Sequence, residues 1–195
     1  MDEPSAGVSP SGAEEPISED CVELWRPRFE DVPWLVELRN RRAVRQWFHH
    51  SEVILPEVSG RWISARMTDD DDALRVLRVC GIDQGLGTIG WERSRTEPDR
   101  YEVGRLVLDT VRLRGLPTEV RREVTAARLT DAACRAVQEH LFMTRGAQAL
   151  TVTCKAGNLR GRHVAERGGA VMEGVSDDSA NYVVLRGLWL ERRER

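Results

Sequence analysis

Between Ala73 and Asp109 the chain carries three strand-like runs, ALRVLRVCGID, LGTIGWE and RYEVGRLVLD, separated by Gly, Asp and Pro signals. Runs rich in β-branched and apolar residues, closed by short turns, pair with their sequence neighbours, so this stretch predicts an antiparallel meander. After it the pattern alternates. A helical region fills 117–142, AQALTVTC reads as a strand, NLRGRHVAERG as a helix ended by Gly168 and Gly169, and AVMEG with NYVVLRGLWL as a closing pair of strands.

Upstream, CVELWRP alternates like a strand and is stopped by Pro27, and EDVPWLVELRN brings Trp34, Leu35 and Leu38 together at helical spacing. Two short helices follow. RRAVRQWFHH sets Val44, Trp47 and Phe48 on one face, and PEVSGRWISARM repeats the device with Val58, Trp62, Ile63 and Met67. Residues 1–20 are rich in Pro, Ser, Gly, Asp and Glu, have almost nothing to bury, and read as a disordered tail. Residues 21–195 then make one domain, a size suited to a single core.

The 29 Lys and Arg against 32 Asp and Glu give a net charge of −3, so no general attraction to nucleic acid or anionic membrane is expected. Cys21, Cys80, Cys134 and Cys154 stand too far apart for zinc spacing or a disulfide scaffold and read as reduced core thiols. With no signal peptide or spanning run, the expected location is cytoplasmic, with no membrane partner. The run TDDDD at 68–72 reads as a solvated loop, because consecutive carboxylates do not converge on an ion, and no metal is assigned.

The region after the third meander strand breaks phase. Val120, Val124 and Ala127 define one helical face, whereas Leu129, Ala133, Val137 and Leu141 lie nearly opposite it on a continuous helix. An inserted turn or two at about 117–128 is therefore expected, with Thr130 capping a second helix. Arg114, Arg121, Arg128 and Arg135 recur every seven residues, but the break and the interspersed acids make them a solvated, ion-paired face before a tRNA-binding stripe.

This order of elements resembles the GNAT superfamily of N-acyltransferases over about residues 21–190. Within it, Leu24, Arg26 and Pro27, then Asp31, Leu35, Leu38, Arg39 and Asn40, then Val44, Arg45, Trp47 and Phe48 are similar to the openings of ribosomal-protein N-terminal and amino-sugar N-acetyltransferases. The resemblance implies an α/β (α+β) fold with a mixed, mainly antiparallel sheet flanked by helices. It implies acetyl-CoA or another acyl-CoA as donor, a primary amine on a small molecule or peptide as acceptor, and a monomer or homodimer.

In that family a strand is followed by Arg/Gln-x-x-Gly-x-Gly/Ala, whose amides hold the donor pyrophosphate; here Arg112 and Gly115 match and Pro117, which lacks an N–H, does not. The donor-binding set implied is Leu106, Val107, Leu108, Arg112, Leu113, Arg114, Gly115 and Leu116, with Asn158 from the last helix, and the phosphates meet either helix start. The family tyrosine that protonates the leaving thiolate is replaced by Ala165, which leaves Tyr182 as a substitute or backbone dipoles alone. Two departures thus keep other readings open: an aminoacyl-tRNA-dependent transferase, or a module that binds without catalysis.

Acyl transfer to an amine needs a group to take a proton and a polarised carbonyl. Glu102 is the candidate base, expected on one strand face with Gly104, Leu106 and Leu108; an exposed carboxylate, or one paired with Arg105 or Arg93, is the equal alternative. Trp47, Phe48 and His49, with His50 beside them, are the candidate acceptor-binding residues, although packing in the core suits Trp47 and Phe48 and a solvated turn suits the histidines. The remaining tryptophans, Trp25, Trp34, Trp62, Trp91 and Trp189, are assigned to the core.

Overall fold

The computed structural model describes residues 15–176 and 178–194. Two strands, β1 (Ile17–Glu19) and β2 (Val22–Trp25), lead through a 3-10 turn at Phe29–Asp31 into α1 (Val32–Asn40), α2 (Arg42–Arg45) and α3 (Pro56–Arg66). The meander follows as β3 (Asp72–Val79), β4 (Ile82–Arg93) and β5 (Arg100–Leu108). Then come α4 (Thr110–Gly115), α5 (Thr118–Glu123), α6 (Ala126–Glu139) with a π turn at His140–Thr144, β6 (Ala149–Lys155), α7 (Leu159–Arg167), β7 (Val171–Val175), β8 (Ser179–Leu185) and α8 (Arg186–Arg193).

The strands form one sheet in the order β1-β2-β3-β4-β5-β6-β8-β7. Every neighbouring pair is antiparallel except β5 and β6. The expected mixed, mainly antiparallel sheet flanked by helices is what forms. On one face Leu129, Ala133, Val137 and Leu141 of the α6 region meet Leu77, Ile89, Trp91, Tyr101 and Leu150 of the sheet. Burial of an aliphatic side chain of this kind contributes roughly 1.5–3 kcal/mol. On the other face Trp34, Leu35 and Leu38 of α1 and Ile63 of α3 cover Leu74 and Val76.

The phase break is real and falls earlier than expected. Pro117 precedes α5, which ends at Glu123 with Val124 as its C-cap, and Thr125 caps α6 by accepting a hydrogen bond from the Arg128 amide. Thr130 is not the cap: it lies inside α6 and its hydroxyl donates to the Ala127 carbonyl. The basic residues at seven-residue intervals fall on three helices and make no continuous stripe.

Other expectations need correction. The tail assigned to 1–20 lies outside the described residues up to 14, but Ile17–Glu19 pairs with β2, because Ile17 has core to pack against. RGLWL is the start of α8, where the closing strand was expected to continue; Trp189 turns back onto Phe142. Cys21 and Cys80 are exposed at adjoining strand ends, so they are not core thiols. Trp62, on α3, is 39 % exposed and Trp47, in the turn after α2, is 42 % exposed. Three of the four aspartates in the acidic run pair with arginines, Asp70 with Arg26, Asp71 with Arg145 and Arg93, and Asp72 with Arg66 and Arg105, while Asp69 accepts from the Asp71 and Asp72 amides.

Candidate active site

The parallel pair holds register only over Arg100–Glu102 against Ala149–Thr151. Beyond that point β5 and β6 no longer pair, so a wedge opens between the rest of β5 and the rest of β6 toward their C-terminal ends. Backbone polar groups there lack ladder partners, and an extended ligand arm with amide groups of its own can supply them. The Asp109 amide bonds to the Leu86 carbonyl, with Leu108 facing Gly87 in the register. By strand alternation the Leu108 N–H points away from β4 and into this wedge.

Arg105 adopts φ 57°, and the β4–β5 register slips between Thr88 and Gly90, the signature of a bulge. One extra residue reverses the alternation. Leu106 and Leu108 therefore join Val103 and Tyr101 against the α6 core, and Val107 joins the α1–α3 side. This overturns the expectation that Glu102, Leu106 and Leu108 share a face: Glu102 stands opposite Glu92, on the α1–α3 side with Val107. The ion-paired alternative for Glu102 is also removed. Arg105 pairs with Asp72 and Glu92, Arg93 with Asp71, and Glu102 makes no side-chain hydrogen bond or ion pair among the described residues. It is exposed in a groove with Glu92, Arg93, Thr151, Thr153 and Asn181.

After β5 the expected donor-binding residues Arg112–Gly115 lie in the short helix α4. Asp109 caps α4, accepting from the Val111 and Arg112 amides, and it also accepts from Trp34 Nε1 at 2.9 Å and Arg41 at 2.7 Å. Burial opposes its ionisation, yet Arg41, Trp34 and the Arg112 amide together hold this fully buried carboxyl below the usual carboxylate range. The Arg112 guanidinium lies 4.2 Å over the Trp34 ring and donates to the Gly85 carbonyl of β4. With Gly115 and Leu116 it borders a groove that also holds Glu30, Asp31 and Asp83, whose carboxylates are paired with Arg28 and Arg78. Leu113 packs on the core, and Arg114 bonds back to Thr110. No signal at Arg112 itself distinguishes this outcome, but Asp109 ahead of Thr110 is an N-cap signal that could have.

Two longer helix starts follow the parallel strands in the chain. At α6 the residues Ala126 and Ala127 are exposed, and Arg128 and Arg122 lie in or just before the first turn. At α7 Asn158 is the cap, its side chain accepting from the Gly161 amide at 3.1 Å. Ala165 is buried against the core. Tyr182 is fully buried, donating to Glu166 and accepting from Arg162 on α7, so its hydroxyl is already engaged on the face away from Glu102.

On the Glu102 side, the segment after α2 and the β7–β8 turn approach each other, with His49 Nδ1 3.4 Å from the Asp178 carboxylate. Phe48 stacks under Arg39 and lines an apolar cavity of about 310 Å³ with Leu35, Leu38, Trp62, Ile63 and Val107. Trp47 is not part of that lining. Sequence reasoning missed Arg39, Arg105 and Asp178; Gly104 just before the bulge was the one available signal.

The comparisons agree with this architecture. Residues 22–171 match the family described as "Acetyltransferase (GNAT) domain". A probable GNAT-family acetyltransferase from Chromobacterium violaceum is 19 % identical, covering 96 % of this chain and 99 % of its own, with TM-score 0.70. FdhC, a nucleotide-linked sugar GNAT, is 15 % identical, covering 92 % and 94 %, with TM-score 0.71. RimL, the ribosomal L7/L12 α-N-protein acetyltransferase solved with coenzyme A, is 15 % identical, covering 88 % and 98 %, with TM-score 0.68. At these identities the likeness is one of fold. No curated protein is similar enough in sequence to count as a match.

Proposed function

The chain belongs to the GNAT acetyltransferase family, and from that premise we propose that it moves an acetyl group from acetyl-CoA to a primary amine, with Glu102 as the base. The observation that carries the reading is the junction of the β5–β6 wedge with the Arg105 bulge, which sets an unpaired carboxylate on one side of the sheet beside a slot for an extended thioester. The donor arm adds backbone hydrogen bonds in the wedge, as a strand would. The Leu108 amide then polarises the thioester carbonyl, in the manner of an oxyanion hole.

The amine enters from the α1–α3 side, between the Phe48–His49 segment and the β7–β8 turn. Its nitrogen attacks the carbonyl carbon, the C–N bond forms, the C–S bond breaks, and the proton lost from nitrogen passes to Glu102 directly or through water. Coenzyme A leaves as a thiolate. Since Tyr182 is engaged by Arg162 and Glu166, backbone dipoles rather than this hydroxyl support the departing anion. We place the donor phosphates at the start of α6, near Thr125 and Arg128, with Asn158 on the opposite wall, instead of at Arg112–Gly115. A donor carried by tRNA has less support, because the arginines it would use are dispersed over separate helices. No described helix is long and apolar enough to cross a membrane.

Millimolar acetyl-CoA is expected to raise the melting temperature by several degrees, since a ligand present at about 100 times its Kd stabilises the folded state by ~2.7 kcal/mol. Acetyl-pantetheine, which lacks the phosphates, should do much less. Arg112→Ala should leave the shift in place if the phosphates meet α6. A melting curve unmoved by acetyl-CoA and by longer acyl-CoAs would remove the coenzyme from the account.

A further inference from the structure

The cavity beneath Phe48 is unusual in the sign of its charges. Its walls are mainly Leu35, Leu38, Phe48, Ile54, Trp62 and Val107, and no carboxylate lines it. Arg39 does. One guanidinium nitrogen of Arg39, Nη2, donates to the His50 carbonyl at 2.5 Å, and the group stacks at 3.9 Å on Phe48. The other terminal nitrogen, Nη1, is buried with no hydrogen-bond partner. Its charged neighbour is Arg45, which donates to the Ser51 carbonyl, and neither arginine has a carboxylate partner among the described residues. Burial, and then the charge of Arg45, make the Arg39 cation less favourable than an ordinary guanidinium. A buried cationic N–H without an acceptor is costly, and an anion supplied by a ligand removes that cost with a charge-assisted bond.

The opposite end of the cavity carries the other half of the pattern. Arg105 lines it, and the Glu92 carboxylate paired with Arg105 lines the groove that holds Glu102. An apolar chamber thus runs from Arg39 to the bulge at Arg105, and the groove that holds Glu92 and Glu102 adjoins it through the Arg105–Glu92 pair. Its volume is at the lower end of small-ligand sites.

We infer that the acceptor is a small apolar amine bearing a carboxylate, held with the carboxylate on Arg39, the apolar body under Phe48 and Trp62, and the amine directed to Glu102. This rests on the acetyl-transfer reading and narrows its acceptor. The carboxylate is assigned to the Arg39 end, where no acid answers the guanidinium, and the amine to the Arg105 end, where Arg105 is already paired with Asp72 and Glu92 and the adjoining groove holds Glu102. A sugar would find few hydrogen-bonding groups on these walls, and a neutral apolar amine would leave Arg39 unanswered.

The test compares matched pairs: phenylalanine with phenethylamine, leucine with isopentylamine, and 6-aminohexanoate with hexylamine. Binding is read by calorimetry in the presence of coenzyme A, and turnover by thiol release from acetyl-CoA. At least one carboxylate should bind on the order of 10- to 100-fold more tightly than its partner, the range for one charged hydrogen bond. In Arg39→Met that ratio should fall to within about twofold, while Arg39→Lys, which keeps the charge, should recover part of it. Folding of each variant is read from its melting curve. Equal binding of acids and amines in the wild type, no binding of any carboxylate, or an Arg39→Met ratio unchanged in a folded protein overturns the inference. The wild-type comparison decides by itself if the variants do not fold. Carboxylate preference without thiol release would keep the cavity assignment and reject acetyl transfer, whereas thiol release with no carboxylate preference would do the reverse.

Discussion

Glu102→Gln is expected to lower the rate of acetyl transfer roughly 100-fold or more near neutral pH, the size of effect that a positioned base supplies. Glutamine keeps the shape and the hydrogen-bonding reach of the side chain but cannot take a proton. Because Glu102 is exposed and makes no side-chain hydrogen bond or ion pair among the described residues, the substitution breaks no ion pair and should leave the melting temperature and the acetyl-CoA shift as they were. The loss should fall on kcat and kcat/KM alike, as it does when an interaction made in the transition state is removed. At higher pH more of the amine arrives neutral, so the deficit should narrow. A folded Glu102→Gln enzyme with the wild-type rate at every pH would exclude Glu102 as the base.

How legible the fold and site were depends on what carries each element. The meander, α1, α7 and the interruption near residue 124 could be read from period and from the Gly and Pro signals, since these are local preferences. The wedge was not legible in the sequence, because the point at which two parallel strands part is set by long-range packing and not by any one residue. The bulge at Arg105 was hidden by a strand pattern that looks regular on either side, and it reversed which of Glu102, Leu106 and Val107 share a face. Arg112 shows a different limit. Its place in the motif matched, but its direction was decided by partners 27 residues and more away, Gly85 and Trp34.

Asp109→Ala is expected to destabilise the protein by roughly 3–5 kcal/mol, the range for removing one partner of a buried charged pair. Four hydrogen bonds end on this carboxylate, from Trp34, Arg41 and the Val111 and Arg112 amides, so its loss leaves Trp34 Nε1 without its acceptor, Arg41 with Glu37 alone and α4 uncapped. In Tm this is on the order of 10 °C for a chain of this size. The pH dependence has a definite sign. The folded protein holds this carboxyl below its ordinary range, so its contribution is complete above the unfolded pKa near 4 and disappears as pH falls through the lower folded value. The difference between wild type and Asp109→Ala should therefore be largest from about pH 5 upward and should shrink on acidification. A difference in stability that is small at pH 7, or that grows in acid, would contradict the role given to Asp109.

The central claim is that the β5–β6 wedge delivers a thioester to an amine beside Glu102. Its most direct measurement is one reaction, purified protein with acetyl-CoA and the amine panel, in which free thiol and acetylated amine are quantified together by absorbance and mass spectrometry. One acetylated amine is expected for each thiol released in wild type, with both falling together in Glu102→Gln. Thiol released without acetylated amine, or neither product while acetyl-CoA is bound, would contradict it.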